Sequence, residues 1–152
     1  MYLKDYLKKF ENKKIKLFVD MDGVIADYDV GKAFAYDKKR PLLSSISKLD
    51  EISKMDNVEL YILSISRMKK GYEEKQIWLD RNAPFFKKEN RIIITREEND
   101  FKASSSLKAN YLKGLQRDDC VIVVIDDDPR VIKEIQDKND DVVLLKDTVL
   151  VD

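Results

Sequence analysis

The chain contains no histidine and a single cysteine, Cys120, and these two shortages narrow its chemistry more than any other feature of its composition. Without histidine, the Ser-His and Cys-His couples of nucleophilic catalysis are excluded. The usual zinc ligands are missing too, so hard oxygen donors are what remain for any metal. A lone cysteine forms no intrachain disulfide framework and fits a reducing compartment. Glycine and proline are scarce, and there is no Pro/Gly/Ser-rich linker, internal repeat or low-complexity tract. Neither sign of charge is in excess, with 29 basic and 29 acidic residues, so no global field favours nucleic acid or an anionic membrane. Apolar runs such as Val121 to Ile125 fall far short of the roughly 20 residues that cross a bilayer. The first residues, MYLKDYLKKFENKKIK, lack the apolar centre of a signal peptide. The expectation is one domain over residues 1–152, cytoplasmic and without membrane association.

What the chain does have is a set of short apolar runs. IKLFVD (15–20), VELYIL (58–63), RIIIT (91–95) and VIVVID (121–126) read as strands, and DVVLLK (141–146) as a weaker fifth. Most are continuously apolar rather than alternating, which suits strands buried on both faces of a parallel sheet. Helical periodicity fills the gaps. Ile46, Leu49, Ile52 and Met55 recur in SSISKLDEISKMDNV, with serines available to cap its start. GYEEKQIWLDRN, SSSLKANYLKGLQ and PRVIKEIQDKND follow the same pattern, Pro129 falling where a first helical turn tolerates it. Alternating strand and helix predict a doubly wound, three-layer α/β/α sandwich on a mainly parallel five-stranded sheet. The stretch from Asp27 to Leu43 has no clean period and is expected to hold a short helix or flap.

In such sheets, ligands bind beyond the carboxyl ends of the strands, where strand order reverses. Asp20, Asp22 and Gly23 follow the first run, Ser64 and Ser66 the second, Thr95 and Arg96 the third, and Asp126, Asp127 and Asp128 the fourth. Two acidic clusters far apart in sequence thus fall on one edge. Either alone reads as an Asx-stabilised turn. Together they would repel strongly unless a cation sat among them, and Mg²⁺ suits carboxylates and phosphate oxygens. A calcium EF-hand does not fit, because Gly23 comes three residues after Asp20 rather than at the sixth loop position.

DMDGV (20–24), Ser64 after the second strand, an upstream lysine and DDDP (126–129) together resemble the four motifs of the haloacid dehalogenase-like hydrolases. DMDGVIADYD is most similar to the opening motif of the 5'(3')-deoxyribonucleotidase branch. The resemblance implies a phosphatase with Asp20 as nucleophile, forming an aspartyl-phosphate, and Asp22 as general acid and then base. It implies Mg²⁺ held by the Asp20 side chain, the Asp22 carbonyl and Asp126, supported by Asp127. Ser64 would bind phosphoryl oxygens, and Lys108, or else Lys102 in the preceding loop, would neutralise charge. Gly23 would leave room for backbone N–H groups to approach the phosphate.

Only about fifteen residues, Tyr28 to Leu43, stand where many such proteins carry a cap, too few for an independent lid. This departs from the helical cap of the deoxyribonucleotidase branch and weighs against a small nucleotide in an open site. Such a site suits a terminal phosphate on a nucleic acid or protein, or a small phosphorylated molecule in an oligomer where a neighbour closes the pocket. Arg67 and Lys69 are expected to face solvent, Trp78 to be core or rim, Cys120 inert packing, and Arg130 a partner for the acidic cluster. Two alternatives compete: a catalytically silent phosphate- and Mg²⁺-binding regulatory module, and a receiver-like domain, which DMDG directly after the first strand fits poorly.

Overall fold

The computed structural model describes residues 2–28 and 36–151. The five apolar runs become β1 (Lys14–Val19), β2 (Val58–Ser66), β3 (Arg91–Thr95), β4 (Cys120–Asp126) and β5 (Val143–Lys146). All neighbours pair in parallel, in the order β3-β2-β1-β4-β5. The chain starts in the middle strand, builds outward to one side through β2 and β3, then crosses back to β4 and β5. The reversal therefore lies at β1, between β2 and β4.

Successive side chains of β1 serve opposite layers, as strand geometry requires. Leu17 and Val19 join a cluster with Trp78 and Phe86, whereas Phe18 joins Leu63, Leu112 and Ile135 on the other face. The first face is covered by α1 (Leu3–Leu7), α2 (Leu43–Ser53) and α3 (Lys69–Asn82), the second by α4 (Ser104–Lys113) and α5 (Pro129–Lys138). This is the expected three-layer arrangement. Among the described residues, no helix is long and apolar enough to cross a membrane.

Local chemistry departs from expectation in two places, at the start of α2 and in the unforeseen α1. The serines do not cap α2: its N-cap is Leu42, without a side-chain bond, and Ser44 and Ser45 lie inside the first turn. The buried stripe is still Ile46, Leu49 and Ile52, so packing rather than capping sets this helix. The short α1 was hidden in a charged N-terminal stretch and is held by Leu3 and Leu7, four apart and both buried. Between β1 and α2 the described residues form a 3₁₀ turn, Tyr36–Lys38. Residues 29–35, where a flap was expected, lie outside the described residues.

At α5 the expected start holds. Pro129 occupies the first turn and Asp128 is the N-cap, its Oδ1 accepting from the Arg130 N–H at 2.9 Å. The Arg130 guanidinium closes on the same carboxylate, with Nη2 3.1 Å from Oδ2.

Candidate active site

Register brings the acidic clusters together. Val19 pairs with Ile62 on one side and Ile125 on the other, and the Asp20 N–H donates to the Ile125 carbonyl at 3.0 Å. Asp20 therefore stands level with Asp126 at the carboxyl edge, and Ser64 lies on the β2 flank. Beyond Asp20 the chain turns sharply: the Met21 carbonyl accepts from the N–H groups of Val24, Ile25 and Ala26. Buried Met21, Val24, Ile25 and Ala26 pin this turn to the core.

Gly23 is required twice over. Its φ of +78° lies in the left-handed region, and a Cβ there would sit 2.0 Å from Oδ2 of Asp127. Its own N–H donates to the Ala26 carbonyl at 2.8 Å, so the room that it leaves is filled by the Asp127 carboxylate. Gly23→Ala is expected to cost about 3 kcal/mol from backbone strain and displacement of Asp127. Thermal unfolding measures it, and an unchanged melting temperature would contradict the contact.

Asp20, Asp126 and Asp127 each offer an oxygen, and these oxygens all lie within 4.8 Å of one another. The set is all-carboxylate and fits a hard cation of the Mg²⁺ type. The structure supplies a counter-charge of its own. Lys108, buried on α4, donates to Oδ1 of Asp20 at 2.9 Å and to Oδ2 of Asp126 at 2.7 Å. Asp126 Oδ1 accepts from the Asp128 N–H at 3.0 Å. Lys102, the other lysine considered, is exposed.

Burial raises Asp20, and Asp126 adds to the rise; Lys108 opposes them, leaving the carboxyl pushed up to about 7. Burial also favours the neutral amine of Lys108, but Asp20 and Asp126 outweigh it and hold the group above its ordinary range. Asp127 is raised by burial and by its neighbour Asp126.

Asp22 behaves in the opposite way. Burial pushes it up, but Lys75 and Lys39 more than offset this and hold its carboxyl below the usual range. Lys39 donates to Oδ1 at 2.7 Å, and Lys75 stands 3.6 Å from Oδ2. The Asp22 side chain thus stands apart from the three-carboxylate group, in a basic microenvironment. Lys75 also donates to the Ser64 hydroxyl oxygen and the Ile65 carbonyl, both at 2.7 Å. The Tyr36 ring lies 4.7 Å from the Lys39 amine and 5.1 Å from that of Lys75.

Sequence reasoning missed both lysines. Lys75 carried a signal, since it precedes Trp78 and Leu79 by three and four positions and so shares their buried face. Lys39 carried none. Its place is set by the Trp78 indole donating to the Lys39 carbonyl at 2.9 Å.

A cavity of about 370 Å³ opens over this edge, lined by Asp20, Asp22, Ser64, Lys108 and Asp126 to Asp128, with Tyr28 and Ser104 at its sides. Of the other residues considered, Arg67 and Lys69 are exposed, Trp78 is fully buried core, and Cys120 is a half-buried free thiol at the start of β4.

No protein-family model and no curated protein matches the sequence. Solved structures do. One is a chain of the Pnkp1/Rnl/Hen1 RNA repair complex, at 16% identity and a TM-score of 0.67 over 89% of this chain and 42% of that one. Another, from a structure of the Pnkp1/Rnl/Hen1 complex, gives 12% identity and a TM-score of 0.69 over 88% and 46%. The α/β fold is shared. The present chain spans less than half the length of either of these chains.

Proposed function

We propose that the protein is a Mg²⁺-dependent phosphomonoester hydrolase of haloacid dehalogenase type, acting on nucleotides or on terminal phosphates of nucleic acid. One observation carries this reading: Asp20, Asp126 and Asp127 converge at the strand-order reversal, with the Lys108 amine bridging Asp20 and Asp126. Structural ion pairs rarely crowd so much like charge at a cavity floor, whereas phosphoryl transfer needs it. Mg²⁺ held by the Asp20 and Asp126 side chains and the Asp22 carbonyl, with Asp127 in support, would offset repulsion between the nucleophile and an anionic phosphate.

The rest falls to the chain's own groups. The Asp20 carboxylate attacks phosphorus and the ester P–O bond breaks; Asp22, which Lys39 and Lys75 keep ionised, relays to the departing oxygen a proton brought in by the monoanionic phosphate ester. Asp22 then takes a proton from water, which attacks the aspartyl-phosphate, releases inorganic phosphate and restores Asp20. Lys108 offsets charge on the nucleophile, and the Ser64 hydroxyl, backed by Lys75, donates to a phosphoryl oxygen. The likeness to chains of an RNA repair complex supports a nucleic-acid end among the candidate substrates.

The test is phosphate release from nucleoside monophosphates and from 3'- and 5'-phosphorylated oligonucleotides, with Mg²⁺ and with chelator. Mg²⁺-dependent release from at least one is expected. Mg²⁺ binding without turnover on any of them would point instead to a silent regulatory module.

A further inference from the structure

Among the described residues, Asp22 is the acidic group of the site that a cation reaches from outside the sheet edge and its flanking helices. Lys39 comes from the connection between β1 and α2, directly after the 3₁₀ turn Tyr36–Lys38, and is only 7% exposed. Its backbone is fixed at both ends. The Lys39 N–H donates to the Tyr36 carbonyl at 3.0 Å, and its carbonyl accepts from Trp78 in α3. The Tyr36 N–H in turn donates to Glu74 of α3 at 3.0 Å, and the Tyr36 and Trp78 rings meet edge to face. The ammonium group is thereby delivered to Oδ1 of Asp22 at 2.7 Å.

Burying a lysine is costly, and a buried ion pair is a weak source of stability. What this pair supplies is direction. With Oδ1 fixed by Lys39 and Oδ2 facing Lys75, the Asp22 carboxyl has one orientation, and both of its cationic neighbours rest on α3. We propose that Lys39 is a positioning residue that acts through Asp22, aiming this carboxyl at the leaving-group oxygen. The proposal rests on the reading of Asp22 as the proton donor.

A leaving group that needs no proton separates this role from a structural one. In p-nitrophenyl phosphate the departing phenolate is stable unprotonated, whereas an alkoxide leaving from a nucleoside monophosphate is not. kcat/KM covers only the steps through phosphoryl transfer to Asp20, so the later hydrolysis does not blur it. For Lys39→Met, kcat/KM is expected to fall at least about 10-fold on the best nucleoside monophosphate of the panel, within the range typical of general-acid catalysis, and less than about 3-fold on p-nitrophenyl phosphate. Lys39→Gln reads out the same way if the methionine variant fails to fold, folding being checked by thermal melting. An equal loss on both substrates in a folded variant, or no loss on either, overturns the proposal. Absence of turnover by the wild type on both would instead remove the phosphatase reading, and this proposal with it.

Discussion

Asp20→Asn is expected to lower phosphate release by at least about 10⁴-fold and, in the same protein, to raise the melting temperature of the metal-free form at pH 8. Under the proposed function, the first effect follows from removing the nucleophile. The second follows from its surroundings. Asp20 is pushed from 3.8 to about 7 on folding, chiefly by burial and then by Asp126, with Lys108 opposing. Between those two values the folded chain keeps a proton at Asp20 that the unfolded chain has released, so stability falls as pH rises through this window. Above about 7 the whole penalty stands, on the order of a few kcal/mol. Asparagine does not ionise and escapes it. A gain on the order of 5 °C at pH 8, shrinking toward pH 5, is the expected pattern. A variant less stable than the wild type at both pH values would contradict the strained-carboxylate account, whatever its activity.

Lys108→Met is expected to act in the reverse sense on stability and in the same sense on activity. Lys108 and Asp126 are almost wholly buried, with side-chain exposures of 4% and 1%, and the amine bonds Asp20 as well. Removing it leaves two carboxylates facing each other without a counter-charge. Such a break typically costs 3–5 kcal/mol, roughly 10 °C in a domain of this size. Under the proposed function, millimolar Mg²⁺ restores part of that loss, because a bound cation takes over the neutralising role. Phosphate release stays depressed, since the substrate's own charge is no longer offset. Thermal melts with and without Mg²⁺ check both halves. A melting temperature indifferent to Mg²⁺ in wild type and variant alike would remove the metal from the proposed chemistry.

The parts of the site that could be read from the sequence are those attached to strand ends. Asp20, Ser64 and Asp126 each follow an apolar run, and the edge where the runs terminate is dictated by parallel topology. The resemblance favours Lys108 over Lys102 because it places the lysine in the first turns of the helix before the fourth strand, and the neighbours Leu107 and Ala109 are indeed buried with it. Residues that reach the site from irregular or amphipathic segments were less legible. Lys75 hides among the charged residues of GYEEKQIWLDRN, although its spacing to Trp78 and Leu79 marks the inner face. Lys39 depends on the 3₁₀ turn docking against α3, a tertiary event with no local periodicity. The space left by Gly23 likewise went to Asp127, a group more than a hundred positions away. Helix ends set by packing, as at Leu42, escape rules built on capping residues.

Placing β1 at the centre of the sheet has a consequence for how the chain is made. β1 needs β4 as its second partner, yet β4 begins only at Cys120. At a synthesis rate of roughly 5–20 residues per second, the nascent chain waits on the order of 5–20 s with one edge of its central strand unpaired. During that interval Asp20 has neither Lys108 nor Asp126 beside it, so the three-carboxylate group does not exist on a partly made chain. The acidic group at the carboxyl edge and the covering of an exposed strand edge arrive in a single late step, when β4 docks.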